Sequence, residues 1–138
     1  EPQVKGLRLA DTPLKPGDEV IVMGYPTGMR IMLAQAGERF IETLRDKNEI
    51  DFWSVAAQLA AAGHITPLAT RGIVGRTSEE MIAYDAETTR GGSGGPVLDL
   101  NGTVVAVNTA ILPGYSGSSL GVPVAKVHQL LRESGLLN

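Results

Sequence analysis

The segment Gly91-Gly92-Ser93-Gly94-Gly95-Pro96 sets one serine between paired glycines. Glycine accepts positive φ without steric cost, so the backbone on either side of Ser93 can turn sharply. Such a turn can aim several N–H groups at one point and leave the hydroxyl open to a substrate. The chemistry this pattern fits is attack by the Ser93 hydroxyl on a carbonyl, with amides waiting for the developing oxyanion. A solvated serine in a glycine-rich hairpin is the plainer alternative. Four glycines around one serine, followed directly by proline and an apolar strand, are hard to obtain from loop composition alone.

The string also satisfies Gly-x-Ser-x-Gly, the elbow of α/β-hydrolases, in which a helix follows the serine. Here Pro96-Val97-Leu98-Asp99-Leu100 leads into Asn101-Gly102 and another β-branched run, a strand–turn–strand pattern that argues against an elbow. A serine hydroxyl is a weak nucleophile until a base accepts its proton. His64 and His128 are the two histidines. The order His64, Asp85, Ser93 exists along the chain, but His64 ends an Ala-rich stretch and reads as a partly solvated helix-terminal residue. His128, beside Val127 and Leu131, reads as a boundary residue packed on the body of the fold. Asp85 is expected to hold a turn or cap a backbone group near the serine loop. With no cysteine, a thiol nucleophile, a thiolate metal site and a disulfide scaffold are excluded. No His/Asp/Glu group has metal-ligand spacing. The Gly114–Gly121 stretch, read as a surface loop near a substrate cleft, lacks the lysine of a phosphate-binding loop. No metal or cofactor is expected.

The elements that must position Ser93 are mostly β. Val20–Gly24, Leu68–Arg76, Met81–Asp85, Val97–Leu100 and Thr103–Leu112 are strand candidates, and Asn101-Gly102 is the strongest hairpin signal. Residues 30–63 read as helical. Gly37-Glu38 opens one stretch with Phe40, Ile41 and Leu44 at helical spacing, and Asn48 with Asp51 suggests a capping box for the next. Ile50, Trp53, Ala57, Ala60 and Ala61 form an apolar stripe that ends at Gly63. This stripe either packs on the barrel or, through Phe52 and Trp53, forms a lid or contact surface. A last helix starts at Pro123, stops near Gly135 and carries Val124, Val127, Leu130 and Leu131 on one face. An antiparallel β barrel or sandwich, interrupted by a helical insertion and closed by a helix, is predicted.

The 138 residues, 43% hydrophobic and 20% charged, suit one folded domain. One Trp, 3 Tyr and 2 Phe leave the core to Val, Leu, Ile and Ala. The net charge of −3, without a basic run, argues against a nucleic-acid partner. The longest apolar stretch, 54–63, is too short to span a bilayer, so no membrane contact is expected from this segment. The chain opens on Glu1-Pro2, the start expected of a piece of a longer parent.

Taken together, these residues resemble the trypsin-like (chymotrypsin-fold) serine proteases, and among them the disulfide-free bacterial HtrA/DegP-type branch. The matching stretches are Gly17–Pro26 (GDEVIVMGYP), Thr70–Val74 (TRGIV), Asp85-Ala86, Gly91–Leu98 (GGSGGPVL), Gly102–Ala110 (GTVVAVNTA) and Gly121–Val124 (GVPV). They cover the C-terminal barrel only, with 1–14 as an interdomain linker, 15–138 as the barrel, and about 29–65 as an insertion without counterpart in the family. The resemblance implies a mainly β fold, an antiparallel six-stranded Greek-key barrel with a helical insertion and a C-terminal helix.

The same resemblance implies the roles. Ser93 is the nucleophile, and the N–H groups of Gly91 and Ser93 form the oxyanion hole. The strand at Thr109, Ala110 and Ile111 pairs with an extended polypeptide substrate. Glu87 falls at the base of the primary specificity pocket, where it favours Lys or Arg if it points inward; a solvated or Arg90-paired carboxylate is the alternative. Gly92 departs from the Asn or Asp usual before the serine, so a side chain that braces the loop is absent. The general-base His and its Asp come from an N-terminal barrel of the same parent, which makes this chain inactive alone. The parent is then an extracytoplasmic serine endopeptidase, or a degenerate protease kept as a peptide-binding or scaffolding module.

Overall fold

The computed structural model describes residues 5–25, 29–46, 51–88, 91–111 and 119–137. Six strands, β1 (Glu19–Gly24), β2 (Leu68–Thr77), β3 (Ile82–Tyr84), β4 (Pro96–Leu98), β5 (Val104–Ile111) and β6 (Ser119–Pro123), close a barrel in the order β1-β2-β3-β6-β5-β4. Every neighbouring pair is antiparallel, and β4 closes on β1 through Ile21 opposite Leu98 and Val22 opposite Val97. Alternate residues point inward as the pleat requires: Val20 with Val22 and Ile82 with Tyr84 enter the core, joined by Val74, Val97, Val105 and Ala106. The apolar residues predicted as strands thus fill one barrel.

β6 was absent from the strand candidates, and residues 119–121 belong to it rather than to a surface loop. The rest of the predicted 114–121 loop lies outside the described residues. The β4–β5 hairpin stands where Asn101-Gly102 placed it, with a longer turn. Asp99 N–H donates to the Thr103 carbonyl at 2.9 Å, Gly102 N–H donates back to Asp99 O at 3.0 Å, and Gly102 carries φ +77°. This is a three-residue loop with a left-handed glycine, not a two-residue turn.

The Asp99 carboxylate organises that loop by accepting from Thr103 N–H at 2.8 Å and Asn101 N–H at 2.9 Å. The Thr103 bond above all holds its carboxyl below the usual aspartate value. The folded pKa lies below the unfolded one. The resulting stability is therefore present above about pH 4 and is lost as pH falls through the folded value. Asp99→Ala is expected to cost about 1 kcal/mol at pH 7, the low end for a charged acceptor because the turn meets water. Melting curves at pH 7 and below pH 3 test this; an equal deficit at both refutes the assignment.

Residues 25–67, between paired Gly24 and Leu68, hold three helices, α1 (Met29–Ala36), α2 (Glu38–Asp46) and α3 (Phe52–Ala61). Asp51 is itself the N-cap of α3, its carboxylate accepting from Ser54 N–H at 3.0 Å, whereas Asn48 lies outside the described residues. Gly63, at φ +73°, ends α3 in a Schellman motif: its N–H reaches Ala60 O and His64 N–H reaches Leu59 O. The stripe assigned to α3 is on the wrong face. Val55 and Leu59 are buried, whereas Ala57, Ala60 and Ala61 are exposed and Trp53 is 76% exposed. An Ala-rich helix is apolar nearly all round, so its neighbours decide which face is covered. Those neighbours are helices: Val55 and Leu59 cluster with Met32 and Leu44, flanked by Leu33, Ala36 and Phe40, and among the described residues this cluster contains none from the barrel.

The last helix, α4 (Val124–Glu133), begins after Pro123, which is its N-cap rather than its first residue. Val124 enters the barrel core, whereas Leu130 of the predicted stripe is 61% exposed. His128 Nε2 lies 3.0 Å from the Ala10 carbonyl, and Ala10 N–H donates to Val104 O, so α4 and the segment before β1 cover the same part of the barrel. No described helix is long and apolar enough to cross a membrane.

Candidate active site

The connection from β3 to β4 carries Ser93. It passes so close to β1 and β2 that side chains are excluded at the crossings. A Cβ on Gly72 would lie 2.2 Å from Ala86 N, one on Gly24 2.9 Å from Gly92 Cα, and one on Gly95 2.1 Å from the Met23 carbonyl oxygen. Asp85 starts the crossing by accepting from Ile73 N–H, the backbone capping expected of it. Thr70 Oγ1 then donates to the Glu87 carbonyl. Ser119 Oγ on β6 donates to the Ala86 carbonyl at 2.9 Å.

Residues 91–95 form the tight loop that the glycines permit. Gly95 N–H closes a turn onto Gly92 O at 3.0 Å, with Gly94 at φ +84° in its third position, the site where a type II turn needs glycine. Gly91 also lies at positive φ, +95°. Gly94 N–H donates to Asn108 O at 2.7 Å, and Asn108 N–H donates to Gly95 O at 2.9 Å. The amides of Gly94 and Gly95 are thereby used by the fold. Those of Gly91 and Ser93 donate to no acceptor among the described residues.

Ser93 is exposed, and its hydroxyl donates to the Thr109 carbonyl at 2.9 Å. Neither histidine meets it. His64 packs its ring edge-on against Phe40 with centroids 5.1 Å apart, and His128 contacts Ala10 O. Thr109, Ala110 and Ile111 extend β5 past its last β4 pair, Val107 with Pro96. Over Ala110 and Ile111 the strand pairs with β6 alone, which leaves its other edge open beside Ser93 among the described residues. Glu87 is exposed and lines a narrow cleft with Val22, Thr70, Thr88 and Gly92. Arg90, its alternative partner, lies outside the described residues.

The residue that sequence reasoning passed over is Asn108. It sits 1% exposed on β5, two residues on from Ala106 of the barrel core. Its Nδ2 donates to Gly92 O and to Thr88 Oγ1, both at 2.9 Å, and its Oδ1 accepts from the Tyr84 hydroxyl at 2.6 Å. Burial pushes the Tyr84 phenol well above its ordinary value, so it stays a donor. The available signal was a lone amide in the apolar run VVAVNTAIL, because a buried amide demands partners.

Comparison with known proteins bears on the family and the fold. The trypsin-like peptidase domain family matches residues 1–107. The periplasmic pH-dependent serine endoprotease DegQ of Escherichia coli is 42% identical over 69 residues, 49% of this chain and 15% of that protein. A probable periplasmic DegP-like serine endoprotease of Buchnera aphidicola is 28% identical over 120 residues, 85% of this chain and 20% of that protein. The chain therefore spans a fifth or less of these relatives' length. Among solved structures, the active form of the Rv3671c protease of M. tuberculosis superposes with TM-score 0.64 at 18% identity, over 99% of this chain and 51% of that one. The serine endoprotease of Yersinia pestis gives 0.64 at 16% identity, over 96% and 36%. With a family match over most of its length and a closed six-stranded barrel shared with proteases, the chain belongs to the trypsin-like peptidase domain family.

Proposed function

We propose that this chain is the C-terminal barrel of a serine endopeptidase that cleaves polypeptides through an acyl-enzyme on Ser93. The observation that carries the reading is the serine loop: an exposed hydroxyl, two uncommitted amides at Gly91 and Ser93, and an open strand edge beside them. In this reading the substrate adds as a strand along Thr109–Ile111, which places a carbonyl against Ser93. Ser93 Oγ attacks that carbonyl carbon, and the oxyanion is stabilised by the Gly91 and Ser93 amides. The amine leaves with the proton taken from Ser93, and water then releases the acyl group.

The base that takes the proton is a histidine, oriented by an aspartate, on an N-terminal barrel of the same protein, since His64 and His128 are engaged elsewhere. Glu87 gives the cleft a carboxylate that favours Lys or Arg in the substrate. The periplasmic setting of the DegQ and DegP-like relatives supports an extracytoplasmic location.

A fluorophosphonate probe tests the assignment in the full-length protein. The expected result is a single adduct mapped to Ser93 by mass spectrometry and lost in Ser93→Ala. A folded full-length protein that never labels, yet binds extended peptides, refutes it in favour of a peptide-binding module descended from a protease.

A further inference from the structure

We propose that Asn108, oriented by Tyr84, is the positioning residue that fixes the Ser93 amide toward the substrate. This rests on the reading of the loop as an oxyanion cradle. The Gly92 carbonyl and the Ser93 N–H belong to one planar peptide unit and point in opposite directions. Whatever holds Gly92 O inward therefore holds Ser93 N–H outward. Gly92 O accepts from Asn108 Nδ2 at 2.9 Å and from Gly95 N–H at 3.0 Å. The peptide lies in a run of glycines that offer little steric resistance to its rotation. Gly92 itself has no side chain with which to brace it.

The brace comes instead from the barrel interior. Asn108 binds the loop on both sides of Ser93, through Gly92 before it and through Gly94 and Gly95 after it. Its amide has one workable orientation. Tyr84 offers a hydroxyl at 2.6 Å to Oδ1, and Gly92 offers only a carbonyl, so a flipped amide would set oxygen against oxygen. The second Nδ2 hydrogen goes to Thr88 Oγ1, which ties the incoming limb of the loop to the same group. The Tyr84 ring is given room by Gly121, where a Cβ would lie 3.1 Å from Tyr84 Cε1. β3, β5 and β6 thus meet at one buried amide behind the nucleophile.

The test uses the full-length protein and two variants. Asn108→Asp keeps the shape and the acceptor for Tyr84 but removes the donor to Gly92 O. Tyr84→Phe keeps that donor and removes what orients it. Asn108→Asp is expected to lower kcat by about 10- to 100-fold, the range for outer supports of a reactive group, with KM for a peptide substrate within about threefold. Affinity for a peptide boronate, which presents an oxyanion, falls in parallel, while affinity for the cleaved product peptide holds. Tyr84→Phe gives a smaller loss of the same kind, about 3- to 10-fold, and the double variant is no worse than Asn108→Asp.

Concentrations are normalised by active-site titration and folding is checked by melting. Folded variants with unchanged kcat overturn the inference. So does a loss that vanishes on normalisation, or one shared equally by boronate and product peptide, because each is the mark of a merely structural residue. If Asn108→Asp does not fold, Tyr84→Phe decides by the same criteria. A wild-type protein that neither labels nor cleaves removes the peptidase reading and this inference together, whereas active wild type with indifferent variants removes this inference alone.

Discussion

The 138-residue chain on its own is expected to react with a fluorophosphonate at Ser93 at least ~10⁴-fold more slowly than the full-length protein that carries it. The Ser93 proton rests on the Thr109 carbonyl, which accepts a hydrogen bond but cannot take a proton at neutral pH. The hydroxyl therefore keeps its proton and stays a weak nucleophile. On the proposed reading, what survives is the contribution of the oxyanion donors alone. Misfolding does not account for the loss, because the barrel closes within the chain through β1 on β4 and carries its own core. Stopped-time labelling of both proteins at equal concentration measures the ratio, with circular dichroism to confirm the fold. Rates within tenfold of each other would mean that the chain supplies its own base, and His64→Ala would then be the next variant to make.

Gly95→Ala is expected to abolish labelling of the full-length protein and to destabilise it by about 4 kcal/mol or more, in the range reserved for changes the backbone cannot absorb. The added Cβ would sit 2.1 Å from Met23 O and 2.9 Å from Gly92 O. Both atoms are main chain, one in β1 and one in the serine loop, so no side chain can swing aside. Either β1 parts from β4, or the turn that presents Ser93 opens. Gly94→Ala is the comparison. It meets open space, and its φ of +84° costs only about 1–2 kcal/mol of local strain. Urea unfolding of the two variants separates crowding from strain; equal stabilities would show that the close approach to β1 is not a constraint.

These two expectations also show which parts of the molecule were legible in its sequence. β1, β2 and β5 are long or rich in β-branched residues bounded by Gly and Pro, and they appear close to where that pattern placed them. Ser93 stood out because glycines cluster around it, Gly95 for its close approach to β1 and Gly91 and Gly94 for their positive φ. β6, Ser119–Pro123, has a glycine at its centre and is specified by β3 and β5 on either side rather than by its own composition. The buried face of α3 is chosen by α1 and α2, which its near-uniform apolarity could not reveal. Asn108 reads in the sequence only as part of a strand, because a single amide acquires a task only when folding brings Tyr84, Thr88 and Gly92 around it.

The antiparallel register of β1 and β2 ends on the pair Gly24 and Leu68, so everything from 25 to 67 leaves and returns at one rung of the ladder. Closing a chain of any length across that rung depends only weakly on length, about 0.6 kcal/mol for each doubling. The helical unit thus stands at the tip of a hairpin. The length of that unit can therefore change at little entropic cost to the barrel beneath it.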